Sequence, residues 1–227
     1  MIVKAIKFLL LICVLCLSAT CPAAAGEVPA DVMKAAKEGF DRMIKGQKYN
    51  SRFQKLGFDS QEDIDKALVG EGFQVFTISP DDLFNDAALQ DIKSVIIPIN
   101  EWDFIIHVDG EAKCLLKVSY DSGRWFAFGM GSSILSKEIN GIKKKWPASL
   151  GHDFRFIRVY QASSDLVELS QKGNVLGLIP LTSVIKEKKQ RIVGEFATDD
   201  LHNGKEVLLN LRPAVKSNIE HYERKKK

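Results

Sequence analysis

This chain has few cysteines, few histidines and no apolar run long enough to cross a bilayer. Three of its four cysteines, Cys13, Cys16 and Cys21, lie close to the start, which leaves Cys114 as the lone thiol of the remainder. A lone thiol cannot close an intramolecular disulfide, so the hydrophobic core has to hold the fold unaided. The four histidines are His107, His152, His202 and His221. None stands three or four residues from another His or a Cys, so no metal-binding pair is set up on one helix face. No Ser sits in the Gly-x-Ser-x-Gly context of a hydrolase elbow, and no Gly-rich loop is followed by the Lys-Ser or Lys-Thr pair of a phosphate cradle.

What is present at the start is a leader. Lys4 and Lys7 give a short positive region, and the run from Phe8 to Cys21 is apolar apart from Ser18 and Thr20. That run is too short to span a membrane. Ala23, Ala24 and Ala25 supply small side chains for signal peptidase, and Gly26, Glu27 and Pro29 open a polar chain. Residues 1–25 therefore read as a cleavable secretory signal peptide, and the mature protein as exported, periplasmic or extracellular, with no transmembrane span after cleavage. Cys21 follows Ser18, Ala19 and Thr20, not the Leu that a lipoprotein signal carries three residues before its Cys. An uncleaved anchor is the alternative, and the alanine-rich end and short apolar core favour cleavage over it.

Taking Lys4 and Lys7 from the 32 basic residues leaves 30 against 29 acidic ones, a net charge of +1. A nucleic-acid binder needs a clearly positive face, so no nucleic-acid partner is expected.

The apolar spacing then divides the chain. Residues 26–72 read as an N-terminal helical segment: Val32, Ala36, Phe40 and Met43 or Ile44 recur at helical spacing, and Asp59 caps a helix through Ile64, Ala67 and Leu68 that ends at Gly70 or Gly72. Residues 73–192 read as an α+β sheet domain. Strands are expected at Phe73–Ile78, Val95–Ile99, Phe104–Val108, Lys113–Tyr120, Trp125–Gly129, Phe154–Gln161, Leu166–Ser170 and Val175–Leu181, with turns at Asn100–Asp103, Asp109-Gly110, Asp121–Gly123 and Lys172–Asn174. Between them, Ser132 or Ser133 caps a helix whose Leu135, Ile139, Ile142 and Trp146 form one apolar stripe. Ser183 is expected to cap a short basic helix containing Val184, Ile185 and Ile192. Residues 193–227 read as a C-terminal extension, with Glu206–Leu211 strand or helix, a helix opening at Pro213 and an unstructured basic tail. The fold class that follows is α+β: a curved antiparallel sheet, a meander of hairpins with one amphipathic helix packed across it, plus N-terminal helices and a C-terminal helix.

Each chemistry-bearing residue has a functional and a plainer reading. Cys114 with His107 or His152 would suit a thiol hydrolase, yet it alternates in phase with Leu116, Val118 and Tyr120, which places it in an apolar layer. Asp199, Asp200 and His202 nominate too few ligands for a metal and have turn composition, so no metal and no cofactor are expected. Asp59–Asp65 lacks the central Gly and terminal Glu of a calcium loop. Gly129–Ser133 is a tight strand-to-helix connection, and the Lys143–Lys145 and Arg224–Lys227 runs are a solvated helix face and the tail. Aromatic residues gather at Trp102, Phe104, Trp125, Phe126 and Phe128. With Trp102 in an exposed turn, Trp102, Trp125 and Phe128 form the lip of a ligand-binding groove. The expected function is an exported, non-catalytic binding or accessory protein whose partner is a small ligand or an envelope protein. The alternatives are an exported hydrolase using Cys114 as nucleophile and a structural subunit of a cell-envelope complex.

Overall fold

A computed structural model describes residues 27–181 and 200–226. The leader and the short basic helix expected from Ser183 lie outside the described residues.

The chain enters as α1 (Ala30–Ile44), whose Val32, Ala36 and Phe40 are buried together with Ala35, Gly39 and Ile44. Two short helices follow, α2 (Ser51–Lys55) and α3 (Gln61–Lys66). The cap of α3 is Ser60, whose hydroxyl accepts from Asp63 N–H, and the expected cap Asp59 instead donates its own N–H to the Asp63 carboxylate at 2.8 Å. Helix α3 also stops earlier than its apolar spacing implies, because β1 (Leu68–Thr77) has already begun. Gly70 and Gly72, which read as a helix stop, are close-approach positions inside that strand. A Cβ on either would lie 2.4 Å from a ring carbon, of His107 and Phe104 respectively.

The remaining elements are α4 (Pro80–Phe84), α5 (Ile92–Val95), β2 (Ile97–Val108), β3 (Glu111–Asp121), β4 (Arg124–Gly131), α6 (Ser133–Lys145), β5 (His152–Val159), β6 (Ser164–Gln171), β7 (Asn174–Pro180) and α7 (Gly204–Lys226), with 3-10 turns at Ala88–Gln90, Ala148–Leu150 and Tyr160–Ala162. The fold is mixed α+β around one seven-stranded sheet of order β4-β3-β2-β1-β5-β6-β7. All neighbours are antiparallel except β1 and β5, which run parallel. Two three-stranded meanders thus flank β1. Their tight turns are Asp109-Gly110, Ser122-Gly123 and Lys172-Gly173, each with positive φ at both residues, the geometry that matches strand twist in a two-residue hairpin.

The turn expected at Asn100–Asp103 does not exist. Strand β2 runs straight through it, with Glu101, Trp102 and Asp103 paired to Ser119, Val118 and Lys117. Polar Glu101 and Asp103 mimic turn composition, but they alternate with Trp102 and Phe104 and share the opposite face of the sheet with Lys117.

Three apolar clusters cover the sheet. On one face α6 lays Leu135, Ile139 and Ile142 over Phe73, Val75, Ile105, Leu115, Phe156, Val167 and Ile179. Helix α6 starts from Ser132, a left-handed residue with φ 59° that makes no side-chain cap. On the other face, α1 to α3 cover β2 to β4, and α7 with α4 covers β5 to β7. Helix α7 is continuous from Gly204, and Pro213 lies inside it. Asn203 accepts from Glu206 N–H at its start, and Val207, Leu208, Leu211 and Val215, all fully buried, carry one apolar face past the proline. The chain from Arg224 to Lys226, expected as a tail, is the last turn of this helix. No helix among the described residues is long and apolar enough to cross a membrane.

Candidate functional site

The parallel junction is the weakest-paired line in the sheet. Pairing of β1 with β5 is confined to Val75↔Phe156 and Phe76↔Ile157, whereas β5 and β6 pair along their whole length from His152↔Gln171 to Val159↔Ser164. Side chains supply what the backbone ladder does not. Thr77 Oγ1 donates to Arg158 O at 2.8 Å, and Arg155, ion-paired with Glu168, reaches Ile96 O at 3.4 Å.

The largest bridge is on the α6 face. Strand alternation places Phe156 in the core and Arg158 two residues on, with its guanidinium 5.1 Å from the Phe156 ring. From there Arg158 Nε donates to Asp165 Oδ1 of β6 at 3.0 Å, and Nη2 crosses β1 to Asp103 Oδ2 of β2 at 3.3 Å. Nη1 lies 3.9 Å from Glu101 Oε2, which also accepts from Tyr160 OH at 2.9 Å. One arginine and one tyrosine from β5 and its turn therefore hold two residues of β2 from the opposite half-sheet.

Burial makes this cluster energetically demanding. Asp103 is 1% exposed and Asp165 6%. Burial raises both carboxyls above the ordinary range, with Arg158 and Lys117 pulling the other way. Arg158 would lose its proton more readily through burial alone, but Asp103 and Asp165 hold it charged, above its usual value. The Tyr160 hydroxyl is raised by its burial and by Glu101. Asp103 Oδ1 has no hydrogen-bond partner among the described residues, an arrangement that proteins rarely leave unmet.

A raised carboxyl pKa stabilises the fold fully below the unfolded-state value and loses that contribution as pH rises through the folded-state value. The stability of wild type relative to Asp103→Asn should accordingly fall as pH is raised from the ordinary carboxylate range toward neutrality. Urea melts of both proteins across that range measure it, and a difference that grows with pH would contradict the assignment.

The cluster runs from Arg158 and Tyr160 at the carboxyl end of β5 across to Asp103, which pairs with Phe73 in the middle of β1; from this junction β1 leads on to β2 on one side and β5 to β6 on the other. In open α/β sheets, which are mostly parallel, ligands bind at such a reversal beyond the carboxyl ends of the strands, and this single parallel pair has the same reversal. The rim here is apolar and accessible: Ile97 is 44% exposed and Tyr160 45%.

The residues nominated from sequence do not assemble into one lip. Trp102 is 5% exposed in the core under α1, not in a turn, because β2 continues through its position. Trp125 packs partly buried on that same core and meets Tyr120 edge to face at 5.3 Å. Phe128, 49% exposed, is on the other side of β4 with Phe126, ring centroids 6.3 Å apart.

Cys114 is fully buried with Leu116 and Val118, and burial pushes its thiol up to about 12. Tyr120, expected in the same layer, is exposed. Ellman-type reagent should label Cys114 only after denaturant is added, and fast stoichiometric labelling in native buffer would contradict its placement. His107 lies against Gly70, and His152 Nδ1 is 3.3 Å from Pro147 O.

Asp59 and Asp63 belong to a charge group around Lys113, at 3.5 and 3.6 Å, with Glu111 at 3.5 Å. In the basic run, Lys143 pairs with Glu71 and Lys145 lies 3.6 Å from Asp200. His202 bridges backbone-to-backbone with Leu178, and Asp199 lies outside the described residues. Among the described residues no group of three His, Cys, Asp or Glu side chains converges as a metal site. A cavity of about 440 Å³ lies elsewhere, between α5, β7 and the start of α7. Gly177 and Gly204 beside it are packing positions, where a Cβ would lie 2.4 Å from His202 O and 2.6 Å from Ile92 Cδ1.

Sequence reasoning missed Glu101, Asp103, Arg158, Tyr160 and Asp165. The signal was there in part: Arg158 and Asp165 interrupt apolar strands on the buried phase, and the β5–β6 hairpin puts them directly opposite each other. No family model matches the chain, and no curated protein or solved structure matches it either.

Proposed function

We propose that this is an exported, non-catalytic binding protein that holds a small ligand at the carboxyl ends of β1 and β5, against Tyr160, Ile97 and Glu101. The observation that carries the reading is an accessible rim, Ile97 and Tyr160, at one topological reversal, from which Tyr160, Glu101 and Arg158 lead inward to the buried Asp103 and Asp165. Cys114, the nucleophile of the hydrolase alternative, is sealed in the core on the far side of the sheet, where its thiol is held protonated. A second reading, a subunit of an envelope assembly, draws on Phe126 and Phe128, which put aromatic surface on the edge strand β4.

Native mass spectrometry of protein isolated from its own host tests the first reading. The expected spectrum shows the polypeptide plus one small molecule, with the adduct lost in Tyr160→Ala. A bare polypeptide, or an adduct retained in that variant, would overturn it, and a stoichiometric protein partner would favour the second reading.

A further inference from the structure

The chemistry of the same junction narrows what it can hold, on the premise of the binding reading above. Arg158 is already shared by Asp165, Asp103 and Glu101, so an anionic ligand would have to displace one of three carboxylates to reach it. Counting Glu101, Asp103 and Asp165 against Arg158 and Lys117, the register partner of Asp103, leaves one negative charge in excess. The acceptors left over point the same way. Among the described residues Asp103 Oδ1 is buried without a partner, and Glu101, with its side chain 26% exposed, makes both of its side-chain contacts through Oε2, so Oε1 remains for a donor. Tyr160, hydrogen-bonded to Glu101, and Ile97, at the start of the strand that carries Glu101, offer aromatic and aliphatic surface.

We infer that the junction takes a protonated primary amine on an apolar stem, with the ammonium donating to Glu101 Oε1 on the Asp103 side of the cluster and the stem lying along Ile97 and Tyr160. An ammonium provides three donors and no acceptor, which suits a site whose unmet groups are all acceptors. Charge-assisted bonds of this kind are the stronger ones.

Three fragments of similar size distinguish the possibilities: phenethylamine, 3-phenylpropionate and 2-phenylethanol, titrated into the isotope-labelled full chain and followed by backbone amide NMR. Phenethylamine should shift the resonances of residues 97–103 and 158–165 with a Kd of about 1 mM or below, and more tightly than the other two. Glu101→Gln, which keeps the shape and the acceptor for Tyr160, should weaken it by about fivefold to tenfold. The amide spectrum of the variant reports that its fold is intact. If the acid or the alcohol binds these residues as tightly as the amine, or if Glu101→Gln binds the amine unchanged, the amine assignment is wrong while the binding site stands. If none of the three moves these resonances, both fall.

Discussion

Arg158→Met is expected to cost about 3–5 kcal/mol of folding stability at neutral pH, because it strands Asp103 and Asp165 in a dry environment with their main counter-charge gone. The methionine keeps the stem that lies over Phe156 and removes only the guanidinium, so lost packing contributes little. Two consequences identify the mechanism. The loss should shrink at acid pH, where the stranded carboxyls take up protons, and neutralising them together in Arg158→Met/Asp103→Asn/Asp165→Asn should restore part of the stability, since a buried ion cluster replaced as a whole is far less damaging than one broken. Urea melts read all three. A single-variant loss below about 1 kcal/mol, the range of an exposed ion pair, would show that Arg158 is a surface residue in solution.

Ile139→Ala should cost about 2–5 kcal/mol through lost transfer free energy and the cavity left behind. Ile139 is fully buried at the middle of the α6 stripe, against a sheet whose own residues there are also fully buried, so little can collapse into the gap. Lys144, one turn on and exposed, is the matched control, and Lys144→Ala should stay within about 0.5 kcal/mol. Equal effects would mean that α6 presents a different face to the sheet.

The parts of the fold legible in the sequence are those set by local pattern. The α6 stripe, the three positive-φ hairpin turns and the buried phase of Cys114 rest on periods of 3.6 and 2 and on turn chemistry, which short windows contain. What was not legible depends on partners far along the chain. Asn100–Asp103 has turn composition, and only its pairing with Lys117–Ser119 makes it strand. Gly70 and Gly72 look like a helix stop until the rings of His107 and Phe104 are laid against them. Pro213 looks like a helix start, and tertiary burial of residues on both sides keeps one helix running through it. The candidate site is non-local in the same way. Glu101 and Asp103 come from β2 and Arg158 from β5, and they meet only because β1 takes its place between these strands and pairs parallel with β5. A window that sees Arg158 beside Val159 sees a charge at the end of a strand, with no sign that two carboxylates from the other half-sheet are waiting for it.

The proposed binding function depends on where a ligand sits. The most direct test is a crystal structure of the protein as isolated from its host, examined for density that the polypeptide does not explain. The expected map shows such density at the carboxyl ends of β1 and β5, between Ile97, Tyr160 and Glu101. Density confined to the cavity beside Ile92, Gly177 and Gly204, with water alone at the junction, would contradict it.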